Sequence, residues 1–175
     1  MVEKKIKPVN GIEKQQKTDL LAMRLALAEA RAAAEEGETP IGAVLMRGDA
    51  VIAAAHNHRE SKNDVTSHAE IEVLRAAGKQ KGDWRLSECT LYVTLEPCPM
   101  CAGAILSARI PRVVFGAKDA TMGAMGSVLN LPRFPLGAKP LVEGGLCEGE
   151  CKELLQSFFQ NRRKERQKQK ADGQC

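Results

Sequence analysis

His68-Ala-Glu70, followed downstream by Pro97-Cys98-Pro99-Met100-Cys101, offers one histidine, two cysteines and one carboxylate. Those residue types suit hydrolysis at a metal. His68, Cys98 and Cys101 supply three N/S ligands for one Zn2+ per chain. A fourth position left to water marks a catalytic zinc site, whereas structural sites close with four protein ligands. Glu70 is then the group that moves protons. The chemistry expected is hydrolytic deamination. A water whose pKa the zinc lowers toward about 7 gives a proton to Glu70 as its oxygen adds to an electrophilic ring carbon, and Glu70 then delivers protons to the ring nitrogen and the departing amine.

The elements around these residues explain their spacing. Thr90-Leu-Tyr-Val-Thr-Leu95 is short and β-rich, a buried-strand pattern that Pro97 stops. A helix starts within the cysteine motif and runs through Leu106, with Pro99 in its first turn, where a missing N–H costs nothing. Cys98 and Cys101 are an i, i+3 pair, so both sulfurs face one side of that turn. A second helix runs from Ser67 to about Gly78 and brings His68. At about 100° per residue, Glu70 points well away from His68 and is not a fourth ligand.

Other readings compete for the same residues. Cys98-x-x-Cys101 after a strand is also a thioredoxin-like redox arrangement, but that leaves His68-x-Glu70 unexplained. Ser67-x-x-Glu70 matches a capping box, which would make Glu70 a helix-start residue. His56 and His58, an H-x-H pair at a strand end, read as solvent-facing. Cys89 and Cys147 read as packing residues. Cys147-x3-Cys151 has metal-ligand spacing without a nearby histidine.

The rest of the chain reads as α/β. Thr18 is the expected N-cap of a first helix that closes near Gly37. Ile41–Met46 and Val51–Ala55 flank a turn and form a hairpin. Strands are expected at Arg112–Gly116 and Pro140–Glu143, irregular chain between them, and a last helix from Glu150 to about Gln167. Strands alternating with helices require at least one parallel pair.

Length and composition set outer limits. The 175 residues fit one compact domain, 43% hydrophobic and 27% charged, with only 3% aromatic residues. No apolar run reaches the roughly 18 residues of a membrane span, and the polar start has no signal-peptide core. A cytoplasmic protein with reduced thiols is expected. The charge lies at the ends: net +3 over residues 1–17 and +4 over 161–175, against −3 between them. Residues 1–17 read as a flexible basic leader, 18–160 as the zinc domain and 161–175 as a basic helix end and tail.

H-x-E…P-C-x-x-C is the signature of zinc base deaminases. The likeness extends to Thr39-Pro-Ile-Gly-Ala-Val44, His68-Ala-Glu-Ile71, Thr90-Leu-Tyr-Val-Thr-Leu-Glu-Pro-Cys98, Met100-Cys-Ala-Gly-Ala104 and Val113-Val-Phe-Gly-Ala-Lys-Asp119. Glu150-Cys151, Phe158-Phe159 and Arg162-Arg163 continue it. Over roughly residues 18–166 the chain resembles the bacterial tRNA-specific adenosine deaminases of the TadA type, within the cytidine-deaminase-like zinc superfamily. That resemblance implies a three-layer α/β/α fold, a central mixed five-stranded sheet flanked by helices. It implies a homodimer that turns the flipped-out wobble adenosine of a tRNA anticodon stem-loop into inosine. Asn57 and the Ala69 backbone would hydrogen-bond the base, and Ile41 and Leu95 would wall the pocket. Asp119 would sit by the anticodon-loop backbone, and Phe158, Phe159, Arg162 and Arg163 would meet flanking nucleotides.

The chain departs from that family at Val65, at Thr121-Met122, in the 131–140 loop and in the absence of aromatics from the first helix. A deaminase of a free base or nucleotide (guanine, cytidine or deoxycytidylate) is the alternative. A zinc-stabilised RNA-binding module without activity would have no need of Glu70.

Overall fold

The computed structural model describes residues 11–172. In order, these form α1 (Gly11–Glu35), β1 (Gly42–Arg47), β2 (Ala50–His56), α2 (Ala69–Lys81), β3 (Thr90–Leu95), α3 (Pro99–Ser107), β4 (Arg112–Ala117), a 3-10 turn (Leu131–Arg133), β5 (Leu141–Gly144) and α4 (Glu148–Asp172).

The strands lie in the order β2-β1-β3-β4-β5. β1 is antiparallel to both β2 and β3, while β4 is parallel to β3 and β5. The hairpin expected from sequence is β1–β2, and the expected parallel pair is β3–β4, joined by the α3 crossover. The expected mixed five-stranded sheet between helices is the fold observed.

Alternation along the central strands fills both faces. Ala43, Leu45, Leu91, Val93, Val113 and Phe115 pack with Val73, Ala77, Ala102 and Ile105 of α2 and α3. Val44, Met46, Tyr92 and Val114 pack with Met23, Ala26 and Leu27 of α1 and Cys151 of α4. Buried Ala22, Met23, Ala26, Leu27, Ala30 and Ala33 form the helical stripe that α1 lays on the sheet. Small residues let that helix come close. A Cβ on Gly42 would meet the Ala26 carbonyl oxygen and would lie 2.6 Å from the Ala30 nitrogen.

The first helix differs from expectation. It is already formed at Gly11, ahead of Thr18, so residues 11–17 are helical where a flexible leader was expected. Thr18 is not the N-cap; its Oγ1 donates to Asp49 Oδ1 at 3.1 Å. Glu13, Lys14, Gln15, Gln16 and Lys17 are helix-tolerant. Gln15 reaches Asp19 at 2.8 Å one turn on, and Lys14 pairs with Asp49 at 2.6 Å. The expectation for residues 1–10 lies outside the described residues. α4 continues without a break from 160 into the basic segment.

At the start of the parallel strands, Asp19 on α1 is held by Arg112 through two bonds of 2.8 Å and by the Tyr92 hydroxyl at 2.6 Å. Arg112 also reaches Glu143 of β5 at 2.6 Å. One carboxylate thus ties α1 to β3, β4 and β5. Burial alone would raise the Asp19 carboxyl, but hydrogen bonds from Arg112, Tyr92 and Gln15 outweigh it and hold it below the ordinary value. A depressed carboxyl stabilises the fold above its unfolded value of about 3.9 and loses that contribution as pH falls through the folded value. Asp19→Asn should therefore cost about 2–3 kcal/mol at pH 7 by chemical denaturation. The difference from the parent should shrink below about pH 4.

Candidate active site

The sheet brings the starts of α2 and α3 to one point. His68 is the N-cap of α2 and Cys98 the N-cap of α3, both in extended backbone with no side-chain capping bond. Their side chains are therefore free to turn toward each other. Pro97 and Pro99 set the turn between β3 and α3, with Pro99 in the first turn of α3. His68 Nδ1 lies 3.7 Å from Cys98 Sγ and 3.6 Å from Cys101 Sγ.

Those distances test whether zinc fits. With Zn–S of about 2.3 Å, Zn–N of about 2.05 Å and tetrahedral angles, neighbouring N and S donors stand about 3.6 Å apart. The three side chains hold that spacing. They form one of two metal-competent groups among the described residues. Both helix N-termini favour negative charge at this point. Hydrogen bonding from Cys101 outweighs burial and brings the Cys98 thiol down to about 4, while the same contact and burial push Cys101 up. A metal binds both cysteines as thiolates, so the proton shared by the coupled pair is what it displaces. A redox dithiol would leave the His68 geometry without a purpose.

Glu70 is 4% exposed and lies outside the metal-competent set. Burial pushes its carboxyl up to about 7. A dication on the neighbouring ligands would oppose that rise. The capping-box reading fails: the N-cap is His68, and Ser67 Oγ donates instead to Glu72 at 2.7 Å.

Asn57 is buried, on a segment bonded to the residue before His68. Its backbone N–H donates to the Ile41 carbonyl at 3.1 Å, and the next amide, His58 N–H, donates to the Ser67 carbonyl at 2.9 Å. Ile41, Asn57 and the start of α2 with buried Ala69 thus adjoin. Leu95 ends β3, just ahead of Cys98. The Asn57 side-chain N–H donates to Glu38 Oε2 at 2.9 Å, which leaves its oxygen without a protein donor among the described residues.

Two carboxylates that matter escaped the sequence reading. Glu38, 1% exposed, accepts from Asn57 and from the amides of Ser61 at 2.7 Å and Glu60 at 3.2 Å. Burial alone would raise its carboxyl, but the Ser61 and Glu60 amides outweigh that and hold it below its ordinary value. Glu96 accepts from the amides of Asp119 at 3.2 Å, Met125 at 3.0 Å and Ser127 at 3.0 Å, and from the Ser127 hydroxyl. It gathers the loop after β4 against the start of α3. A Cβ on Gly123 would lie 2.6 Å from Glu96 Oε2, so that loop needs glycine there. The available signal was position: Glu96 stands between an apolar strand and a proline, where a charge needs partners.

The expected RNA-contacting residues fall into two places. Asp119 Oδ1 accepts from the Thr121 amide at 2.8 Å, the Thr121 hydroxyl at 2.7 Å and the Met122 amide at 3.1 Å. Thr121, one of the departures noted above, thus helps hold the Asp119 loop. Phe158, Phe159, Arg162 and Arg163 line a cavity of about 240 Å³ together with Gly37, Thr39, Arg59 and Glu60. Arg162 stacks over Phe158 at 5.7 Å and donates to the Gly37 carbonyl at 3.2 Å. Arg59 on this rim was missed from sequence.

His56 and His58 are not simply solvent-facing, contrary to expectation. They are partly buried against Glu29 and Glu36 at the end of α1. Cys89 and Cys151 are buried in the two cores, and Cys147 packs against one of them. Neither Cys147 nor Cys151 joins a metal-competent group among the described residues.

Residues 17–163 match the MafB19-like deaminase family. A tRNA-specific adenosine deaminase of Bacillus subtilis (strain 168) is 48% identical over 151 residues, 85% of this chain and 92% of that protein. One from Agrobacterium fabrum (strain C58 / ATCC 33970) is 49% identical over 142 residues, covering 81% and 93%. A solved structure from work on A-to-I editing by tRNA:A34 deaminases at the wobble position of transfer RNA superposes with a TM-score of 0.76. It is 48% identical and covers 77% of this chain and 99% of its own. With a five-stranded mixed sheet and a His/Cys/Cys site at two helix starts, the chain belongs to the tRNA-specific adenosine deaminases, within the cytidine-deaminase-like family.

Proposed function

We propose that this protein hydrolyses the amine of adenosine at the wobble position (34) of a tRNA anticodon stem-loop, giving inosine and ammonia. One observation carries the reading. The segment from Gly37 to Ile41 joins the base site to the cationic end of α4, because Glu38 holds Asn57 while Gly37 is held by Arg162. A flipped base beside Glu70 therefore has its flanking nucleotides against Phe158, Phe159, Arg162 and Arg163.

His68, Cys98 and Cys101 would hold one Zn2+, which would supply the Lewis acidity to lower the pKa of a water. The protein's residues do the rest. Asn57, its amide held by Glu38, presents its oxygen to the base edge. Ala69, through its backbone, Ile41 and Leu95 complete the pocket. Glu70 takes a proton from water as the C6–O bond forms and delivers it to N1. It then carries the proton of the new C6 hydroxyl to the amine, which leaves as ammonia as the C6–N bond breaks and the C6 carbonyl forms. Asp119 sits by the anticodon-loop backbone, on the loop gathered by Glu96. Phe158 and Phe159 stack on bases, and Arg162 and Arg163 meet phosphates.

The same reading includes a homodimer and a cytoplasmic site of action, where tRNA and reduced thiols coexist. A groove of about 1000 Å³ lined in part by Ile71, Leu74, Trp84 and Leu136 supports the dimer as an apolar face for a second copy.

The direct test offers the zinc-loaded protein an anticodon stem-loop with A34, free adenosine, guanine and cytidine. Inosine should form in the RNA alone; turnover of a free base with none in the RNA would overturn the reading. Glu38→Ala should leave zinc content unchanged and lower kcat/KM on the stem-loop by about 10-fold or more, because Asn57 loses the partner that aims it. Unchanged kinetics would remove Asn57 from base recognition.

A further inference from the structure

A second group of donors lies outside the zinc site. His56 closes β2, His58 follows two positions on, and Glu36 follows α1. One donor atom from each lies within 4.8 Å of the others. His56 Nε2 is 3.3 Å from Glu36 Oε2, and His58 Nδ1 is 3.7 Å from the same oxygen. On the other side of the His56 ring, Nδ1 is 2.8 Å from Glu29 Oε2.

Proton bookkeeping at His56 is decisive. Glu29 as a carboxylate has no hydrogen to give, so the 2.8 Å contact is Nδ1–H donating to it. In a neutral ring this leaves a lone pair on Nε2. That nitrogen is buried and has no hydrogen-bond partner among the described residues, although Glu36 approaches to 3.3 Å. Two lone pairs facing each other repel. A positive centre between them resolves this: a second ring proton or a metal ion.

The donor set and spacing favour a metal. Tetrahedral sites with N and O ligands at about 2.0–2.1 Å put neighbouring donors about 3.3–3.4 Å apart. The approach of 3.3 Å matches that value, the one of 3.7 Å is a few tenths longer, and all three donor atoms lie within 4.8 Å of one another. Glu29 on Nδ1 is the carboxylate partner that metal-ligating histidines use to fix tautomer and ring direction. Imidazole with carboxylate suits zinc, nickel or cobalt rather than magnesium or calcium. Glu36 is half exposed, which leaves an entry path and room for water as a fourth ligand.

We propose that Glu36, His56 Nε2 and His58 Nδ1 form a second divalent transition-metal site, oriented by Glu29 and separate from the site at Cys98 and Cys101. The two histidines flank Asn57, so an ion here clamps the end of α1 to the segment that carries the base-contacting amide. Its role is positional, and it stands whether or not the substrate is RNA.

The test is calorimetric titration of Zn2+ at pH 7.5 into protein already holding one equivalent, with nitrogen-15 NMR of the histidine rings. One further equivalent should bind. His56 Nε2 should shift to a metal-bound position while Nδ1 stays protonated. His58→Leu and Glu36→Gln should each weaken the second equivalent by at least about 10-fold, and Glu29→Gln by about 10- to 100-fold, with the first zinc retained. The site is refuted by the absence of a second equivalent, by binding that ignores these substitutions, or by a His56 ring doubly protonated in excess zinc.

Discussion

The proposed active site rests on the meeting of two helix N-termini at the end of one strand. β3 delivers Cys98 to the start of α3, and α2 begins at His68 within 3.7 Å of it. Each N-cap position has extended backbone, so its side chain is released from the helix and can act as a ligand. The unpaired amides and dipoles of both helices make that point favourable for thiolate and for any anion that forms there. The rest of the fold holds the two helices in this relation. Core packing fixes α2 and α3 to one face of the sheet, while Asp19 and Arg112 lock α1 to the far end of the same strands.

Three buried glutamates show how environment assigns roles to one residue type. Glu38 and Glu96 are each surrounded by N–H donors, which makes them fixed anchors for loops. Glu70 has no such set of backbone donors among the described residues, and in the metal-free protein burial raises its carboxyl to about 7, a rise that a dication on the neighbouring side chains would oppose. The contrast between Glu38, held low, and Glu70, held high, fits the anchoring role of the first and the proton-transfer role proposed for the second.

Much of this was legible in the sequence for identifiable reasons. His68, Cys98 and Cys101 carry much of their spacing locally, at two helix starts, so the pattern was enough to expect the cluster that the fold brings together. Strand β3 followed from a short β-rich run that Pro97 stops, and the hairpin from two apolar segments that flank turn residues. The start of α1 did not, because Thr18 looks like a cap while helix-tolerant residues precede it. Glu38, Glu96 and the Glu29–His56–Glu36 contacts were hidden because their partners are distant in sequence. His56 and Glu29 are brought together only when α1 lies across β2. The polar loop after β2 concealed that its end is half buried.

The central claim is that Glu70 moves protons and does not hold the metal. The most direct measurement is single-turnover deamination of an A34 stem-loop by Glu70→Gln, with zinc counted in the same sample. The variant should keep the zinc equivalent held by His68, Cys98 and Cys101 and lose turnover by about 10²–10⁴-fold or more. Loss of that zinc, or turnover within a few-fold of the parent, would contradict the account.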